Sequence, residues 1–100
     1  MTGSNKTGAF TINAATEAIQ TFTLTGAISP SISNGTYKGQ ELTLIFIQDA
    51  NGSRTATWPS NFKKDGGSLA LTTTANSVDV INMKWDGSNW LEVSRRMNLS

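Results

Sequence analysis

The side chains from which this chain could build chemistry are seven carboxylates, on Glu17, Glu41, Asp49, Asp65, Asp79, Asp86 and Glu92, facing eight cations. Two carboxylates at a suitable separation could serve as the acid and base of a glycosidase. These seven are scattered among turn signals and strand ends, where turn formation and surface charge account for them. Serines are plentiful, but no histidine stands beside them, and no motif around Lys63, Lys64 or Lys84 would activate one. The absence of Cys and His removes the thiol nucleophile, the imidazole base and the thiolate zinc site. Asp86-Gly87-Ser88-Asn89 superficially matches a calcium loop but lacks the alternating carboxylates and the closing Glu. A hairpin turn accounts for it better, so no enzyme activity, cofactor or metal is expected.

Binding chemistry is the remaining candidate. Trp58, Trp85 and Trp90 could offer apolar faces to sugars, or pack into a core, with Trp85 and Trp90 meeting across a hairpin. The basic doublets Lys63-Lys64 and Arg95-Arg96 do not make the concentrated basic face that nucleic acid requires. No apolar run approaches the roughly 20 residues of a membrane-spanning helix, and residues 1–6 lack the apolar stretch of a signal peptide. The Asn-x-Ser/Thr matches at Asn5, Asn34, Asn51 and Asn98 follow from composition. Synthesis in a host cytoplasm is expected, with no nucleic-acid or membrane partner.

The elements that must position these residues read as strands. Thr, Ser, Asn and Gly supply 14, 11, 9 and 9 of the 100 residues, and charged residues only 15%. Thr favours strands and the other three favour turns. Alternation marks residues 9–13 and 16–25 as half-buried strands, and residues 26–40 as a long connection tucked on by Ile28, Ile32 and Tyr37. Residues 41–48 are the most apolar segment and read as a central strand with both faces covered. Asn51-Gly52 would turn the chain into an antiparallel return over residues 54–58, ended by Pro59. Short strands at 61–64 and 68–71 and a hairpin of 77–85 with 89–96 complete the pattern. Residues 1–100 are expected to form one all-β domain, a small antiparallel β-sandwich (jelly-roll-like) or barrel of about seven or eight short strands. Residues 1–8 read as an arm and 95–100 as a tail.

Residues 39–59, GQELTLIFIQDANGSRTATWP, carry the most distinctive pattern: Gln48, Asp49, Gly52, Arg54, Thr57, Trp58 and Pro59 in that order. Gly66-Gly67, Leu71-Thr72-Thr73, residues 77–81 and Asp86-Gly87 before Trp90 follow. The series, over about residues 16–91, resembles a small β-module of tailed-bacteriophage virion structural proteins, of the capsid decoration or tail-fibre type. The resemblance implies a structural or adhesive role with no catalytic residues. On an extended strand Arg54 and Trp58 share a face, allowing a cation–π contact, and Asp49 and Arg54 could pair across the turn.

Two functions follow from these expectations. The first is a capsid decoration or cement protein on the virion surface that bridges neighbouring subunits of the major capsid protein; a chain running from Met1 to a short polar tail favours it. The alternative is a tail-fibre or receptor-binding module recognising host surface glycan. Self-association, as a trimer by analogy, suits a modest core, and Lys6, Arg95 and Arg96 are candidate partner contacts.

Overall fold

A computed structural model describes residues 2–99, with side chains from Asn5 onward. Six strands, β1 (Thr2–Ile12), β2 (Ile19–Ile32), β3 (Glu41–Gln48), β4 (Phe62–Lys63), β5 (Val78–Trp85) and β6 (Trp90–Leu99), form one sheet in the order β1-β2-β3-β5-β6-β4. A single 3-10 turn at Asp65–Gly67 is the only helical element among the described residues. The all-β reading holds. The sheet is mixed rather than antiparallel: β1 with β2, β2 with β3 and β4 with β6 run parallel. Antiparallel pairing joins β3 to β5 and β5 to β6. The strands are also fewer and longer than the expected seven or eight, and they belong to one sheet rather than the two of a sandwich.

β2 explains this arrangement. Its first half, from Ile19 to Leu24, lies between β3 and the start of β1, and its last five residues, from Ile28 to Ile32, pair with β1 and no longer with β3. The register slips between Lys6/Leu24 and Gly8/Ile28. Twelve residues separate Gln20 from Ile32, about 40 Å if straight. Yet Gln20 Nε2 donates to the carbonyl of Asn13 at 2.8 Å, and Asn13 follows Ile12, the register partner of Ile32. The strand is therefore folded back over residues 25–27, where the bulge supplies the bend. Gly26 sits against the Thr7 side chain, so closely that any Cβ there would strike Thr7 Oγ1.

The fold-back lays Ile12, Ile28 and Ile32 over the inner face of the sheet. That face carries Phe22 and Leu24 from β2, Leu42, Leu44 and Phe46 from β3, and Ile81, Met83 and Trp85 from β5, all buried. Phe62 of β4 and Leu69 and Leu71 from the irregular chain that follows it close the rest of the core. Strand periodicity thus buries every second residue, and the cover is part strand, part loop.

Residues 54–58 do not return as a hairpin partner of β3. Both edges of β3 are taken, by β2 and by the more apolar β5, so no edge remains for them. They make only a single parallel bridge, Ala56 to Ile28, with Ile28 N donating to Thr55 O and Thr57 N to Ile28 O, both at 2.9 Å. Residues 68–71 likewise lie outside any strand. Residues 2–8, expected as an arm, lie in β1, and residues 95–99, expected as a tail, lie in β6; Met1 and Ser100 fall outside the described residues.

Candidate functional site

The distinctive run from Gln48 to Pro59 is an internal brace. Gln48, buried at the end of β3, donates Nε2 to the carbonyls of Arg54 and Thr72, both at 2.8 Å, and accepts Arg54 N at 3.0 Å. Its amide does the work of the missing strand pairing. Asp49 accepts the amides of Asn51 and Gly52 and pairs with the Arg54 guanidinium through two contacts, Nε at 3.3 Å and a terminal nitrogen at 2.9 Å. The Arg54 hydrogen bond is the largest influence holding the Asp49 carboxyl below its ordinary value, and Asp49 in turn raises Arg54. Gly52, at φ 68°, is buried against the backbone of Thr73 and Ala75.

Trp58 turns inward. Its Nε1 donates to Leu69 O at 2.9 Å, and its ring meets Phe46 and Phe62 edge-on, each at 5.5 Å. The expected Arg54–Trp58 cation–π contact is absent: Arg54 is committed to Asp49, and the ring-facing ammonium groups are Lys6 over Phe10 and Lys64 over Phe62. Thr57 is exposed and Pro59 half-buried. Trp85 and Trp90, directly paired across the hairpin at 5.3 Å, are both buried. They are core residues, with Trp90 Nε1 bonded to Ser33 O.

Of the basic candidates, Lys6 lies over Phe10, and Arg95 binds Glu92 through Nε (2.8 Å) and a terminal nitrogen (2.6 Å) while reaching the carbonyls of Asp65 and Ser68. The Glu92 hydrogen bond raises Arg95 above its usual value. Only Arg96 of the three is exposed. Asp86 makes the expected hairpin turn, its carboxylate accepting the amides of Ser88 and Asn89 at 2.8 and 2.7 Å.

Surface recesses gather elsewhere. One cleft of about 380 Å³ lies where the chain leaves β1 and enters β3, lined by Glu17, Thr36, Tyr37, Gln40 and Glu41 among others. A second, of about 250 Å³, lies on the outer face of β3, β5 and β6, lined by Glu41, Thr43, Asn82, Lys84 and Ser94 among others. They adjoin at Glu41. Across the second cleft Thr43 Oγ1 bonds Asn82 Oδ1, and Asn82 Nδ2 bonds Ser94 Oγ, both at 2.9 Å, while Lys84 Nζ stands 3.5 Å from Glu41. Tyr37, expected to tuck onto the sheet, is instead 64% exposed, the one exposed aromatic among the described residues. Its setting among Asn34, Gly35, Lys38 and Gly39 is the signal that marks it as a surface ring: turn formers on both sides leave it no strand to pack on.

The rest of the outer face is an uncovered sheet surface, so β3 is covered on one face and not on both as expected: its alternate residues Thr43, Ile45 and Ile47 are only half-buried. Thr21, Ile45 and Val80 stand side by side across β2, β3 and β5, with Thr23, Ile47 and Val78 in the next such row. No group of three or more acidic residues able to hold a metal ion occurs among the described residues.

These features describe a domain many of whose polar groups brace its own loops and whose surface recesses are shallow and carry few charges. No curated protein matches the chain. The family model described as "Putative phage tail fibre C-terminal domain" matches residues 6–90. The chain is thus a phage virion structural module, and it belongs to the family of phage tail fibre C-terminal domains.

Proposed function

We propose that this domain is an adhesive module of a phage tail fibre, acting by contact with saccharide on the host surface and performing no covalent chemistry. The family match over residues 6–90 carries the reading, and it favours the fibre over the capsid-cement role expected from chain length. Support comes from the surface. The ionisable residues with the tightest contacts, Asp49, Arg54, Asp86, Glu92 and Arg95, are tied to their own fold. Beside scattered charges such as Glu41, Lys63 and Arg96, what faces outward is hydroxyl, amide, one tyrosine and β-branched side chains. The test is retention of the purified domain on host cells compared with retention on capsids. Binding to cells that is competed by isolated surface polysaccharide is the expected result; stoichiometric binding to capsids instead would restore the cement role.

The same reading includes self-association with further copies of this chain. The uncovered rows of Thr21, Ile45 and Val80 and of Thr23, Ile47 and Val78 bear no charge of their own, and Arg96, opposite Val80 on β6, is exposed and can keep its guanidinium in water when identical faces meet. β1 pairs on one side only, and β6 beyond Leu91 has only β5 beside it, leaving edges able to take another strand. Sedimentation equilibrium of the wild type and of an Ile45→Lys variant checks this. Oligomers lost in the variant are expected, and a wild type that sediments as a monomer at high concentration overturns it.

A further inference from the structure

We infer that the two clefts meeting at Glu41 form one saccharide-binding groove, with Tyr37 at one end and the Thr43–Asn82–Ser94 ladder at the other, suited to an uncharged oligosaccharide. The inference rests on the adhesive reading and gives it an address.

A sugar presents a flat apolar ring face and a fringe of hydroxyls, each both donor and acceptor. Its binding site needs an aromatic surface and fixed polar groups that both give and accept hydrogen bonds. Tyr37 supplies the first, being 64% exposed where all three tryptophans are turned into the core or its edge. The ladder supplies the second. Thr43, Asn82 and Ser94 already hold one another at 2.9 Å, so little side-chain freedom remains to be lost on binding. A hydroxyl still has acceptor capacity after donating one bond, and Ser94, which accepts from Asn82, keeps its own proton to give. Between the two ends, Glu41 and Lys84 stand 72% and 49% exposed, an acceptor and a donor where the two clefts meet.

Charge narrows the ligand. The charges where the two clefts meet, the Glu41 carboxylate and the Lys84 ammonium, stand 3.5 Å apart and answer each other. Such a pair offers no net charge to draw an acidic polysaccharide, which favours a neutral sugar. Volumes of about 380 and 250 Å³ suit a short stretch of a longer chain rather than an enclosed small molecule. One such groove is weak, and several on an assembled fibre would multiply its hold.

The experiment is a printed array of neutral and acidic bacterial saccharides probed with wild type, Tyr37→Ala, Asn82→Ala and, as a remote control, Lys63→Ala, with melting temperature measured for each. Wild type retained on neutral saccharides, with Tyr37→Ala and Asn82→Ala about ten-fold weaker at unchanged melting temperature and Lys63→Ala unaffected, is expected. Tyr37 makes no core contact, so its variant stays informative should Asn82→Ala unfold. Wild type that binds while Tyr37→Ala binds equally well overturns the groove and leaves the adhesive reading standing. Retention on acidic saccharides alone overturns the specificity. Wild type retained nowhere overturns the adhesive reading and the groove together.

Discussion

The Asp79 carboxylate accepts the backbone amide of Asn98 at 2.8 Å, fastening the end of β6 to the middle of the core. Its other oxygen accepts the amide of Thr72 at 2.6 Å, and the residue is only 2% exposed. One side chain thus ties the last strand and the covering loop to β5. Asn98 is held at φ 58°, a left-handed turn of the backbone that points its amide inward, and the β5–β6 register slips beside it.

Replacing Asp79 with Ala leaves two inward amides without their acceptor. The expected cost is about 1–3 kcal/mol, read as a lower urea midpoint. Faster hydrogen exchange at Thr72 and Asn98 than at Leu44 would place the loss where the contacts are.

Gln48 makes a sharper test of the brace. Gln48→Ala removes three hydrogen bonds and should cost a similar 1–3 kcal/mol or so. Gln48→Glu puts an acceptor opposite the carbonyls of Arg54 and Thr72 and should destabilise at least as much at neutral pH. A neutral effect of Gln48→Glu on thermal unfolding would show that the brace does not hold the loop.

Two glycines with nearly equal φ separate backbone strain from crowding. At Gly66, φ 70°, a Cβ meets nothing within 4 Å; at Gly52, φ 68°, it meets Thr73 O at 2.5 Å and Ala75 N at 2.9 Å. Gly66→Ala is expected to cost about 1–2 kcal/mol from the left-handed conformation alone. Gly52→Ala carries that cost plus a clash with rigid backbone, so its melting temperature should fall further.

Acid should weaken the fold through two turns. Asp49 is held low first by the Arg54 hydrogen bond, and Asp86 first by the Asn89 amide and then by that of Ser88, in each case against an opposing pull from burial. Both carboxyls therefore take up a proton more readily in the unfolded chain. The stability they contribute is complete above the ordinary carboxylate range near 3.9 and disappears as pH falls through their lower folded values. Urea midpoints should decline below about pH 4, and the decline should be shallower in Asp49→Asn.

The most apolar segment and the tightest turn were legible: residues 41–48 form a central strand, though with one face covered rather than two, and the hairpin closed by Asp86 is where the residue pattern places it. Trp85 and Trp90 meet across that hairpin as expected, because hairpin register is local. The partner of β3 was not legible. A strand followed by Asn-Gly invites a return, but pairing is decided by which segment offers the more apolar face, and β5, 30 residues downstream of Gln48 at its start, outcompetes residues 54–58. The bend in β2 is equally hidden, since residues 26–40 read as a connection by their Gly and Pro content while Ile28, Pro30 and Ile32 are buried strand positions. The groove at Glu41 joins residues from four separate stretches, so it was not legible, and its Tyr37 read as tucked onto the sheet although the turn formers around it leave it exposed.

The fold-back of β2 has a kinetic consequence. One strand carries the ladder to β3 and the ladder to β1, and its two halves lie on opposite sides of the core. Neither layer can persist once β2 is released, so unfolding should be a single cooperative event with no surviving half. Folding must in turn wait for distant pairings, Ile12 with Ile32 and Leu42 with Met83, which sets it among the slower small domains, on the order of milliseconds to seconds.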